Sequence, residues 1–105
     1  MGQIFQLGDT HVAGASLVEV CRRYGVKELS LVGSAVRGGM RPESDLDIMV
    51  EFAPGARIGL IKFECLIEEL ESLTGRRVDL VTKRGLKPWV RPNVLKDALV
   101  IYAAS

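Results

Sequence analysis

Leu31-Val32-Gly33-Ser34-Ala35-Val36-Arg37-Gly38-Gly39-Met40-Arg41-Pro42-Glu43-Ser44-Asp45-Leu46-Asp47-Ile48-Met49-Val50-Glu51-Phe52 is the stretch that decides the fold. Its last seven residues alternate. Leu46, Ile48, Val50 and Phe52 fall on one face of an extended chain, which predicts a half-buried strand ended by Pro54 and Gly55. Asp45 and Asp47 share the opposite face, about 6 to 7 Å apart along the strand. Asp is disfavoured in strands, so two at alternate positions need a cause. Carboxylates this close repel unless something positive stands between them, and hard oxygen donors at this spacing suit Mg²⁺. The alternative is a solvated polar face carrying two aspartates by chance.

The front half of the stretch supplies a second feature. A strand is expected over Lys27 to Val32, with Leu29, Leu31 and Val32 turned to the interior. Gly33 at its end lets backbone approach a ligand closely, and Ser34 can cap a short helix that follows. The free N–H groups of that turn would face an anion such as phosphate, with Arg37 one turn further along and able to reach the same group. Taken alone, the same residues also make a plain strand-to-helix turn with a surface arginine. Ahead of an Asp-x-Asp strand they make a triphosphate cradle beside a metal site.

Working outward, Leu17, Val20, Cys21 and Tyr24 recur at helical spacing over residues 14 to 24, and Gly25 supplies a left-handed stop. Residues 60 to 73 form a clearer helix, with Phe63, Leu66, Ile67, Leu70 and Leu73 as one stripe and Gly75 at the end. Arg77 to Thr82 reads as a strand. A connector marked by Gly85 and Pro88 leads to a short helix with Pro92 in its first turn, and Ala98 to Ala103 is a final apolar piece. Helices alternating with strands predict α+β (α/β-like) architecture, a small mixed sheet of three or four strands with helices packed on it. Residues 1–13 are expected to be a flexible or loosely packed N-terminal segment.

The chain has 105 residues and a formal net charge of +1, which suits a single domain. The near-neutral total counts against direct nucleic-acid binding. It is a cancellation, however: residues 43–71 hold eight acids against two bases, a balance of −6, and residues 76–96 hold seven bases against Asp79, a balance of +6. The basic segment suits a polyphosphate or an acidic partner, or serves solubility alone. No apolar run is long enough for a membrane span, and the first residues lack the layout of an export signal, so a cytoplasmic protein is expected. Cys21 and Cys65 fall at apolar helical positions and give neither a disulfide framework nor a metal site. His11 is isolated, which disfavours mechanisms with a histidine base. Asp79 interrupts the run Val78-Asp79-Leu80-Val81; an aspartate in a buried strand needs a partner, either a metal ion or an arginine.

The string from Gly33 to Gly38, followed by Arg41-Pro42-Glu43-Ser44-Asp45-Leu46-Asp47, resembles the nucleotidyltransferase superfamily typified by DNA polymerase beta. The likeness is closest to its stand-alone minimal nucleotidyltransferases (MNT proteins) of the antitoxin type. It continues through residues 54–57 and 75–82 and covers residues 14–102; Val36 stands where many relatives have Ala. The resemblance implies that Asp45, Asp47 and Asp79 are catalytic and hold two Mg²⁺ ions, and that Gly33, Ser34 and Arg37 bind the nucleotide. It also implies transfer of AMP from ATP to a hydroxyl of a partner protein, with Asp79 helping to remove the hydroxyl proton. The implied partner is a small helical HEPN-type toxin. Its alternative is a non-catalytic antitoxin that neutralises by occlusion. The short chain has no room for an acceptor-binding domain, so the acceptor is expected on another chain; Trp89, Tyr102 and the basic segment could contribute to that contact. Homo-oligomerisation stays open.

Overall fold

The computed structural model of the protein describes residues 4–7, 10–33 and 45–104. Along the chain run β1 (Ile4–Leu7), β2 (Thr10–Ala13), α1 (Gly14–Arg23), β3 (Val26–Leu31), β4 (Leu46–Phe52), α2 (Leu60–Thr74), β5 (Val78–Thr82), α3 (Arg91–Asp97) and β6 (Leu99–Ala103). β1 and β2 form an antiparallel hairpin of their own. The remaining strands make one sheet in the order β5-β4-β3-β6. β3 pairs antiparallel with both β4 and β6, whereas β4 and β5 are parallel, so the sheet is mixed as expected. A parallel pair needs a long crossover, and α2 supplies it.

The core lies on one face of this sheet. Leu46, Ile48 and Val50 of β4 are wholly buried, together with Leu29 and Leu31 of β3. Leu17, Val20 and Cys21 of α1 and Leu66 and Leu70 of α2 pack onto them. Phe63, Ile67 and Leu73 flank the α2 stripe and are half-buried, as their spacing predicts. Cys65 departs from expectation: it is exposed. At about 100° per residue it stands about 100° from Leu66 and about 140° from Leu70, off the line that faces the core. Cys21 is buried, and desolvation pushes its thiol up to about 12.

Polar contacts fasten the two long helices together and to the sheet. Glu69 of α2 accepts hydrogen bonds from the Arg23 guanidinium and the Tyr24 hydroxyl at the end of α1. That pairing, with Arg23 first, holds the Glu69 carboxyl below its ordinary range and raises Tyr24 to about 12. α2 ends at Gly75, whose left-handed backbone lets its N–H reach the Glu71 carbonyl at 2.8 Å. The Glu71 carboxylate then accepts the Val78 N–H at 2.9 Å, which ties the start of β5 to the helix that delivers it.

α3 has no buried residue, and β6 leaves Leu99 and Val100 about half exposed while turning Ile101 inward. Among the described residues no helix is long and apolar enough to cross a membrane.

Candidate functional site

The site is built where β3, β4 and β5 lie side by side. In the parallel register of β4 and β5, Asp47 stands directly beside Asp79. Both strands turn their large apolar residues (Leu46 and Ile48, Val78 and Leu80) to the core, so the pleat sends the two aspartates out of the opposite face. The Leu46 N–H donates to the Arg77 carbonyl at 2.8 Å and closes the start of the pair. Asp47 is half-buried and Asp79 is exposed. The expectation of a buried strand around Asp79 is therefore corrected: β5 is an edge strand, and the aspartate lies on its uncovered side. The group it faces is a second carboxylate.

Like charges side by side oppose each other's ionisation. Burial raises the pKa of Asp47, and the negative charges of Asp79 and Asp45 raise it further. Asp45, just ahead of β4, is exposed and contributes its charge to Asp47.

Gly33 completes the described part of the site. The Val32 N–H donates to the Asp47 carbonyl at 3.1 Å, which lays the end of β3 along Asp47. Gly33 then turns with φ of 70°, and a Cβ built on it would lie 2.6 Å from the Asp47 Oδ2. A side chain here would strain the left-handed backbone and have to push the Asp47 carboxylate aside. Ser34 and Arg37 lie outside the described residues.

The arrangement fits a divalent cation by the chemistry of its donors. Two hard carboxylates face each other with their joint ionisation opposed, and Mg²⁺ characteristically takes one or two carboxylates and completes its shell with phosphate oxygens and water. Among the described residues no three acid, histidine or cysteine groups converge on one point. The close set is the pair Asp47 and Asp79, with Asp45 at its rim.

The sequence profile described as nucleotidyltransferase domain matches residues 16–102. The chain belongs to the nucleotidyltransferase family. Its relatives include the protein adenylyltransferase MntA of Thermococcus cleftensis, 42% identical over 83 residues that make up 79% of this chain and 82% of the relative. A solved structure assigned to the minimal nucleotidyltransferases superposes with a TM-score of 0.69 at 39% identity, covering 81% of this nucleotidyltransferase and 85% of that chain. A tri-AMPylated Shewanella oneidensis HEPN toxin in complex with an MNT antitoxin gives a TM-score of 0.61 at 20% identity, over 86% and 69% of the two chains, and shares the fold. The small mixed sheet with helices on one face is accordingly the polymerase beta-like nucleotidyltransferase fold, and this protein is an enzyme of that class.

Proposed function

We propose that this nucleotidyltransferase moves AMP from ATP onto a hydroxyl of a partner protein, and that the partner is a small helical toxin of the HEPN type. The observation that carries the reading is the Asp47–Asp79 pair beneath Gly33, in a chain 42% identical to a protein adenylyltransferase. The solved complex of an MNT antitoxin with an AMPylated HEPN toxin supports the choice of partner. The expected setting is the cytoplasm, where ATP is at hand.

In this reading Asp45, Asp47 and Asp79 hold Mg²⁺. When bound, the metal neutralises phosphate charge and makes the acceptor hydroxyl more acidic. The protein's own residues do the remaining work. Gly33 lets the triphosphate lie against the backbone, close to Asp47, where a side chain would block it. Ser34 and Arg37 bind the phosphates, the serine by hydrogen bonding and the arginine by its planar charge. Asp79, exposed at the sheet edge, is open to the incoming hydroxyl and accepts its proton. The hydroxyl oxygen bonds to the α-phosphorus as the bond to the pyrophosphate oxygen breaks. Holding the two reactants in line supplies most of the acceleration.

The test is incubation of the full chain with Mg²⁺, labelled ATP and a purified HEPN-type partner. Label should move to the partner and be lost with Asp47→Asn and Asp79→Asn. A partner neutralised equally well by Asp47→Asn, with no label transferred by either protein, would replace this reading with neutralisation by occlusion.

A further inference from the structure

Beyond the aspartates, the same two strands end in a cavity of about 720 Å³ with two unlike walls. One wall is cationic. Lys83 and Arg84 occupy the middle of a tight turn after β5, closed by the Gly85 N–H donating to the Thr82 carbonyl at 3.1 Å and to its Oγ1 at 3.0 Å. The Lys83 N–H donates to the Val50 carbonyl at 2.9 Å, which pins that turn to β4. Lys27 and Arg91 add their charges from β3 and α3. The other wall is apolar: Phe52, Ile58 and the 53–56 loop. This loop is held by its own turn (Ala56 N–H to the Ala53 carbonyl, 3.0 Å) and by the Ala53 N–H on the Gly25 carbonyl at 2.8 Å.

Among the described residues Glu51 is the only acid lining the cavity, against four cations. It stands 3.9 Å from the Lys27 Nζ and 3.6 Å from the Lys83 Nζ, longer than hydrogen bonds. The two ammonium groups are thus gathered by Glu51 yet keep their donors for something else. Arg84 and Arg91 are exposed. The volume falls in the range of small-molecule sites, roughly 300 to 1,000 Å³.

We propose that this cavity binds a nucleoside phosphate, its phosphates on the cationic wall and its base on the apolar loop, at a site separate from the aspartate pair. Glu51 and Lys83 lie four residues beyond Asp47 and Asp79 on the paired strands, about 13 Å away. The two ends also differ in what they demand. Phosphate can approach the aspartates only with a divalent cation between them, whereas the cavity already carries the positive charge. The site stands whether or not the protein transfers AMP.

The test is calorimetric titration of the full chain with ADP and with pyrophosphate in EDTA. ADP should bind without Mg²⁺, and more tightly than pyrophosphate, which has nothing to place on the apolar wall. The dissociation constant for ADP should rise about tenfold or more in Arg84→Ala/Arg91→Ala, the size of loss expected for charge-assisted bonds. Lys83→Ala should weaken binding in the same direction, and Asp79→Asn should bind as the unaltered protein does. Circular dichroism checks that each variant is folded. An absolute need for Mg²⁺, an unchanged constant in both cavity variants, loss of binding in Asp79→Asn, or equal affinity for pyrophosphate would each overturn the proposal.

Discussion

Asp47 is ionised at some cost to the fold, and the sign of its pKa shift says when. Its folded pKa is raised, so the folded state holds the proton more tightly than the unfolded state does. The protein is therefore most stable, with respect to this group, below the unfolded pKa, and loses stability as pH rises through the folded one. Asp47→Asn removes that loss. In EDTA at pH 7 the variant should show a higher urea midpoint than the unaltered chain, with the difference vanishing near pH 3, while nucleotidyl transfer is abolished. Gly33→Ala should fail in both respects. Its left-handed φ costs an L-residue about 1 to 2 kcal/mol, and its methyl group would displace the Asp47 carboxylate. Misplacing a reactive group by about 1 Å costs on the order of a hundredfold in rate, which a transfer assay would read directly. At this scale the sequence was informative for Gly33 and Asp47, because a glycine and a strand aspartate both break local preference. The exposure of Asp79 was not legible. Alternation shows which face a residue takes, whereas whether that face is covered depends on which strand forms the edge.

Among the elements, α1 and α2 share the packing onto the sheet. Leu66 and Leu70 are wholly buried between α1 and the sheet. Leu70→Ala should destabilise by about 2 to 5 kcal/mol in urea unfolding, the cost of a buried leucine deleted from a packed core. The link from Glu69 to Arg23 and Tyr24 lies at the surface end of the helix pair, and its removal should move the urea midpoint far less. β4 and α2 were readable to within a residue, since each keeps one clear apolar period. The hairpin of β1 and β2 was not. Its strands are four residues long, too short for alternation to stand out, and Gly8-Asp9 between them was the turn signal that could have found it. Cys65 shows the same limit from the other side: an apolar residue in a helix need not belong to the stripe.

For the molecule as a whole, the like charges of Asp47 and Asp79 predict a stability that rises with divalent cation. A cation that binds only the folded state raises its stability by mass action. Thermal melts should therefore move upward with millimolar Mg²⁺ in the unaltered protein and stay fixed in Asp47→Asn/Asp79→Asn. Helix–strand alternation led to the layered architecture, but strand order lay beyond it. Nothing in residues 99–103 marks β3 as their neighbour; that choice is made by the sheet's remaining open edge, with β5 already placed on the far side of β4. The β3–β6 pairing also sets an order of events as the chain is made. β4, α2 and β5 are consecutive and can assemble from near neighbours, but β3 must wait for a strand some seventy residues later. Until then an apolar strand has one row of amides and carbonyls open to any other extended chain, so a ribosome stalled before residue 99 would hold a half-built sheet prone to aggregate.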